Sequence, residues 1–208
     1  MCYNQLINEI NKEDNMDILD IMQQNKAYTM KHKDEPSHLQ IPAKELCWEY
    51  NQTRPSEQQK RKEILNKLLG TYHPMVFIQP SFQCDYGFNI HMQGLAIINH
   101  NCVILDTSPV IIGANAFIGP GTCLSCVGHA IDPYERSVEG IITSAPITLE
   151  EDVWIGANVT VCGGVTIGKG SIIGAGSVVT KDIPQGVVAA GSPCKVIRPI
   201  TQADRLNL

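Results

Sequence analysis

No stretch of this 208-residue chain approaches the eighteen consecutive apolar residues of a membrane-spanning helix. A basic surplus is also missing: 16 Lys and Arg face 21 Asp and Glu, a formal net charge of -5. That balance gives no electrostatic reason to expect nucleic acid or an anionic membrane as partner, although local basic residues can still hold a phosphorylated small molecule. The first thirty residues lack the basic start and apolar core of a secretory signal, which predicts a cytoplasmic location. Eight cysteines are present, but Cys2, Cys47, Cys84, Cys102, Cys123, Cys126, Cys162 and Cys194 are scattered through regular segments, and free thiols are expected. Cys123 and Cys126 form a C-x-x-C with no second pair to complete a zinc site and no helix start to make a redox motif, so they read as structural.

What the chain has is a period of six. Leu149, Ile155, Val161, Ile167, Ile173 and Val179 follow one another at that spacing, with Gly156, Gly168 and Gly174 one step behind their apolar residues. Six fits neither the 3.6 period of a helix nor the alternation of an ordinary strand, and it specifies a solenoid in which one apolar side chain per hexad stacks on its equivalents. Met92, Ile98 and Ile104 belong to the same series, which skips two residues and resumes at Ile112, Ile118 and Leu124. The skip predicts one widened corner. Gly and Asn after the apolar positions suit the turns between short strands.

The chain divides accordingly into an N-terminal helical segment (1–70), a parallel β-helix (71–185) with an external loop at 126–145, and a C-terminal cap (186–208). In the first part Leu6, Ile7 and Ile10, then Ile18, Leu19, Ile21 and Met22, predict one or two short amphipathic helices. Lys44 to Tyr50 reads as another. Ser56 with Gln59 reads as a capping box, followed by an apolar face of Ile64, Leu65, Leu68 and Leu69 and a stop at Gly70. This part is too small for a core of its own and is expected to pack on the solenoid. The loop interrupts the repeat and carries His129, Asp132, Glu135 and Arg136; inserted loops held at both ends by rigid coils are common places for binding surfaces. The segment from Pro193 to Arg198 reads as a cap over an otherwise unpaired strand edge.

Several runs together carry a resemblance: Asp152-Val153-Trp154-Ile155-Gly156, Gly164-Val165-Thr166-Ile167-Gly168, Ile173-Gly174-Ala175-Gly176-Ser177, Gly128-His129-Ala130-Ile131-Asp132-Pro133 and Tyr50-Asn51-Gln52-Thr53-Arg54-Pro55-Ser56. From about Lys44 to Ile200 the chain resembles the hexapeptide-repeat acetyltransferases of the galactoside and maltose O-acetyltransferase group. The resemblance implies a left-handed parallel β-helix, a homotrimer, and acetyl-coenzyme A held in a cleft between subunits, with no metal. The left-handed sense is taken from the family, because crossovers in ordinary sheets prefer the opposite hand.

His129 matches the family's catalytic histidine. Acetylating an alcohol requires removing its proton as oxygen attacks the thioester carbon, and imidazole titrates near enough to neutrality to accept that proton and return it to the thiolate. The resemblance also places Asn99 and Asp85 at acceptor-contact positions, against a plain reading of each as a turn residue. It assigns Ala157 and Ala175 to backbone contacts beside the pantetheine arm, with Thr180 and Lys181 nearby and the cationic Lys195 and Arg198 near the nucleotide phosphates. Two departures concern the acceptor: Thr107 follows Asp106 where galactoside enzymes have a carboxylate, and the N-terminal acidic and basic acceptor-binding pair has no clear counterpart, although Asp34 and Glu35 are nearby. Met92-Gln93 replaces the usual apolar-Gly step and predicts irregular first coils.

The expected activity is acetyl transfer to a sugar hydroxyl. The alternatives are a non-sugar acceptor, as in the related xenobiotic enzymes, and a noncatalytic trimeric scaffold. A γ-type carbonic anhydrase shares the solenoid, but His91, His100 and His129 lack its paired spacing.

Overall fold

The computed structural model describes residues 17–206. The N-terminal block comprises helix α1 (Ile18–Met22), strand β1 (Tyr28–Lys31) and helices α2 (Gln40–Asn51) and α3 (Gln58–Leu68). The first coil follows as β2 (Val76–Ile78), β3 (Phe82–Cys84) and β4 (Ile90–Met92), and the second as β5 (Ala96–Ile98), β6 (Cys102–Leu105) and β7 (Val110–Ile112). β8 (Ala116–Ile118) and β9 (Cys123–Ser125) begin the third coil. A hairpin of β10 (Val127–His129) and β11 (Ile141–Ser144) interrupts it before β12 (Ile147–Leu149). Then come β13 (Trp154–Ile155), β14 (Thr160–Cys162), β15 (Thr166–Ile167), β16 (Ile172–Ile173), β17 (Val178–Val179), β18 (Val187–Ala190) and β19 (Lys195–Pro199).

The result is a left-handed parallel β-helix of about six turns, the fold class that the resemblance implies. Strands stack in parallel on three faces: β2, β5, β8, β13, β16 and β18 on face I; β3, β6, β9, β14 and β17 on face II; β4, β7, β12 and β15 on face III. The six residues that set the period, from Leu149 to Val179, are each 0% exposed. Burying an aliphatic side chain of this size stabilises by roughly 1.5–3 kcal/mol, so the ladder is the main source of the fold's stability. Corners place non-glycine residues in the left-handed region, among them Asn101 (φ 60°) and Asn158 (φ 54°), a conformation asparagine tolerates better than most residues.

Register shows where the two-residue skip goes. Ile78, Ile98 and Ile118 are in register across β2, β5 and β8 at steps of twenty, whereas Leu149 and Ile167 are paired across β12 and β15 at a step of eighteen. Both extra pairs fall at the corner between faces II and III, once between Cys84 and Met92 and again between Ile104 and Ile112. The external loop leaves from that same corner. The first coils are otherwise regular, contrary to the expectation drawn from Met92-Gln93: β4 pairs with β7 residue for residue.

Other details add to expectation or depart from it. The external segment 126–145 is built as an antiparallel hairpin with a π-helical turn at Glu135–Glu139, and β1 joins it as a third strand, pairing Tyr28 with Ser144 and Lys31 with Ile141. The Ser56–Gln59 capping box does not form. Helix α3 starts at Gln58 after Glu57, which makes no side-chain cap, because its Oε2 accepts instead from the Arg54 N–H (2.6 Å). The helix does stop ahead of Gly70, ending at Leu68 with Leu69 extended. Gly70 is required because a Cβ there would lie 1.9 Å from the Phe88 carbonyl oxygen. The stretch around Leu6 to Ile10 lies outside the described residues.

The N-terminal block closes the open end of the solenoid. Ala43, Cys47, Tyr50, Ile64, Leu65 and Leu68 are buried in one cluster with the coil interior. Tyr50 donates its hydroxyl to the Ile78 carbonyl (2.5 Å), and Asn51 exchanges two 2.9 Å hydrogen bonds with the Phe82 backbone, so α2 docks by satisfying the first coil's free edge. A second, separate cluster of Met22, Tyr28 and Tyr86, with Phe88 and Met30 against it, lies over the widened corner. At the far end β19 runs antiparallel to β18 and covers its edge.

Candidate active site

The corner between faces II and III is built around a buried carboxylate. Asp106 is 0% exposed; its Oδ1 accepts from the N–H groups of Asp85 (3.1 Å) and Tyr86 (2.9 Å) and its Oδ2 from that of Asn89 (3.3 Å), while Asn89 Nδ2 donates to its carbonyl (3.0 Å). Burial pushes its carboxyl up to about 6, against the opposing pull of the backbone donors. One level down, Thr107, Ser108 and Ser144 form a buried hydroxyl chain, with Ser144 Oγ 2.6 Å from Thr107 Oγ1 and 2.7 Å from Ser108 Oγ. Tyr28 donates to the Thr107 carbonyl at 2.6 Å. These contacts fasten the hairpin base and β1 to the coil.

His129 ends β10, opposite Ile142 of β11, and its side chain is exposed. No hydrogen bond from another described residue orients its ring. Position comes from the strand backbone, which the hydroxyl chain and β1 hold from both sides. Gly128 beside it is needed for the close strand approach, since a Cβ there would sit 2.8 Å from Thr143 Oγ1. Arg136, in the turn, donates to the carbonyls of Ala130 and Ile131 (2.9 Å each), and Asp132 accepts from the N–H groups of Tyr134 and Glu135. Both residues shape the hairpin tip.

Asp85 sits on the same corner, half-buried, and burial raises its carboxyl pKa; Lys44 opposes that shift and Glu35 adds to it. Glu35 itself receives the Tyr86 hydroxyl (2.9 Å) and Gln40 Nε2 (3.2 Å), so the N-terminal block brings polar groups to this edge. Thr180 and Lys181, after β17, lie further along the same edge and are exposed. Asn99 is elsewhere, on the corner between faces I and II, where its Oδ1 accepts from the His100 N–H (2.8 Å). Ala157 and Ala175 occupy that other corner in successive coils, linked by a Gly176 N–H to Ala157 carbonyl bond (2.8 Å); a Cβ on Gly156 would be 2.6 Å from Ala175 N. Lys195 and Arg198 are on the exposed strand β19, and the Arg198 guanidinium is held by the Asp204 carboxylate (2.7 and 2.9 Å). That pairing holds the Asp204 carboxyl down at about 2.

In one chain, then, most candidate residues form two groups on either side of face II, His129, Asp85, Thr180 and Lys181 on one edge and Asn99, Ala157 and Ala175 on the other, with Lys195 and Arg198 apart from both on β19. Sequence reasoning noted Glu35 only as lying near the absent N-terminal pair, and missed Tyr28, Ser144 and the structural work of Asp106. The readable signal for the last was the two-residue skip beginning beside it.

Two family models match: bacterial transferase hexapeptide (six repeats) over residues 146–181, and maltose acetyltransferase hexapeptide capping motif over residues 22–73. The galactoside O-acetyltransferase of Escherichia coli is 39% identical over 165 residues, covering 79% of this chain and 81% of that protein. The chain belongs to the hexapeptide-repeat acetyltransferases. Among solved structures of these acetyltransferases, a maltose O-acetyltransferase from Clostridium difficile superposes with TM-score 0.83 at 36% identity, covering 90% of this chain and 99% of that one. A hexapeptide-repeat acetyltransferase from Vibrio cholerae, solved in complex with acetyl-coenzyme A, superposes at 0.81 with 33% identity, covering 89% and 100%. The maltose-type capping match runs from the last residue of α1 through α3, within the block that closes the solenoid. No helix among the described residues is long and apolar enough to cross a membrane.

Proposed function

We propose that this chain is a cytoplasmic acetyl-coenzyme A-dependent O-acetyltransferase acting on a sugar hydroxyl, with His129 as the general base. One observation supports it above the rest: an exposed histidine on a rigid hairpin at the solenoid's widened corner, in a chain 39% identical to a galactoside O-acetyltransferase. His129 accepts the acceptor's hydroxyl proton as its oxygen attacks the thioester carbonyl carbon. The tetrahedral intermediate then collapses, the carbon–sulfur bond breaks, and the proton passes from His129 to the thiolate. A backbone N–H in the cleft stabilises the oxyanion. No acyl-enzyme is required, because the thioester is already activated.

The division of candidates between two edges supports a homotrimer. A second copy presenting its Asn99, Ala157 and Ala175 edge to the His129 edge of the first assembles a complete site, with Asn99 and Asp85 contacting the acceptor. The small Ala157 and Ala175 leave room for a narrow pantetheine arm against the coil backbone, and Thr180, Lys181, Lys195 and Arg198 supply polar and cationic contacts to its far end. For Arg198 this entails sharing its guanidinium with, or leaving, Asp204.

Thiol release from acetyl-coenzyme A, measured over a panel of mono- and disaccharides, non-sugar alcohols and amines, tests reaction and acceptor together. The proposal expects sugar-dependent turnover in the wild type, lost in His129→Ala while acetyl-coenzyme A still binds. Turnover only with non-sugar acceptors moves the activity to the xenobiotic class, and none with any acceptor favours a scaffold.

A further inference from the structure

The buried thiols of this protein differ in what each sulfur meets. Cys102 donates to the Gly119 carbonyl at 3.3 Å and Cys126 to the Ser108 carbonyl at 3.4 Å, so each has a backbone partner. Cys47 and Cys84 meet one another, with their sulfur atoms 3.6 Å apart and side chains 0% and 4% exposed. Cys47 lies on helix α2 and Cys84 closes strand β3 of the first coil, so this contact crosses the seam between the N-terminal block and the solenoid. A disulfide is about 2.0 Å long, and closing the gap asks for an approach of roughly 1.5 Å, within reach of side-chain rotation and a small shift of the helix.

We propose that Cys47 and Cys84 are a disulfide-forming pair, and that oxidation by a low-molecular-weight disulfide such as oxidised glutathione fastens α2 to the first coil. The hydrogen bond between the two sulfurs makes Cys47 the better thiolate, since it lowers the Cys47 pKa and raises that of Cys84. Cys47 thiolate attacks one sulfur of the reagent, forming a mixed disulfide and expelling one small thiolate. Cys84 then loses its proton to solvent, attacks the Cys47 sulfur and expels the second thiolate. Two protein thiols are oxidised and one reagent disulfide is reduced to two thiols. Both sulfurs are shielded, so the first attack waits for α2 to lift from the coil, and the rate reports that opening. Once formed, the bond closes the 37-residue separation between α2 and β3 and holds the N-terminal block on the solenoid end.

The test is to incubate the full-length native protein with oxidised glutathione, block remaining thiols by alkylation in denaturant, and map the peptides. The expected result is a Cys47–Cys84 cross-linked peptide and a mass before alkylation lower by about 2 Da, the two thiol hydrogens. Cys102 and Cys126 are recovered alkylated, and the unfolding midpoint shifts upward and reverts with dithiothreitol. In Cys47→Ser and in Cys84→Ser the cross-link and the shift both vanish. Recovery of Cys47 and Cys84 from the wild type as free thiols or as separate glutathione adducts overturns the proposal, as does a midpoint shift that persists in Cys47→Ser. The peptide map on the wild type decides the matter without the variants and without an activity measurement.

Discussion

The coils before the hairpin and those after it share one inward ladder but differ at one corner. After the hairpin the coils take eighteen residues, shortening to sixteen from Ile167 to Ile183 and from Ile173 to Ala189, and turn tightly without the extra pair. Before it, the corner between faces II and III carries two extra residues per coil, and the space they open holds Asp106, Asn89 and the hydroxyls of Thr107 and Ser108. The plain coils rest on apolar stacking with a few buried hydroxyls, Ser171 Oγ donating to the Pro184 carbonyl and Ser177 Oγ to that of Gly174. The widened coils add a buried polar framework, and the hairpin with His129 is anchored to it. A repeat thus provides the stiffness, and the proposed general base stands on a departure from it.

The largest expected effect breaks the comparison on the chemical side. Replacing His129 with alanine removes an exposed side chain that contributes nothing to the core, so folding is retained while kcat falls by ~10³-fold, the usual scale for loss of a general base. Steady-state kinetics with donor binding measured separately checks this, and an unchanged kcat removes His129 from the mechanism. On the plain side, Ile155→Ala deletes a fully buried ladder residue and is expected to cost about 2–5 kcal/mol in unfolding free energy, read from denaturant midpoints. Its remaining folded fraction should keep the wild-type kcat. A fall in kcat as large as that of His129→Ala would mean that ladder and hairpin are not separable.

The framework predicts a pH dependence of its own. Asp106 has its carboxyl pKa raised from 3.8 to about 6 in the folded protein, chiefly by burial. Below about 4 the group is protonated in both states and its burial costs no charge. As pH rises toward 6 the unfolded chain releases the proton first, so stability falls across that window, by up to about 3 kcal/mol, and is flat above it. Asp106→Asn removes the titrating group, and thermal melts from pH 4 to 7 should lose that slope. A slope that survives in Asp106→Asn assigns it to other carboxyls.

The ladder was legible in the sequence because one apolar residue per hexad has a single role, inward stacking, and nothing else competes for that position. His129 was legible for a related reason: it stands where the repeat stops. The framework between them was not. Tyr28 lies in a four-residue strand whose partner, β11, is more than a hundred residues away, and no local pattern announces so distant a pairing. Thr107, Ser108 and Ser144 look like ordinary turn and strand residues until the fold stacks them. The Ser56–Gln59 capping box failed because the helix begins one residue later than that box requires, with Glu57 rather than Ser56 at its N-cap. The division of candidate residues between two edges could be seen only once the three faces were assigned, since positions such as Asp85 and Asn99 are close in sequence yet turn on different corners.

The smallest effect examines how β1 contributes. Tyr28→Phe keeps the ring that packs with Met22 and Tyr86 but removes the hydroxyl that donates to the Thr107 carbonyl at 2.6 Å. The loss of one buried hydrogen bond, with its acceptor left unpaired, is expected to cost about 1–2 kcal/mol. If β1 only thickens the sheet, that loss appears in the global unfolding midpoint and nowhere else. If it holds the hairpin that carries His129, amide exchange at Ile142 and Ser144 accelerates more than exchange at Ile155 or Ile173 in the plain coils, because the opening is local to the decorated corner. Hydrogen exchange read by mass spectrometry on peptides from the two regions separates the outcomes, and equal acceleration in both would return β1 to the role of an ordinary edge strand.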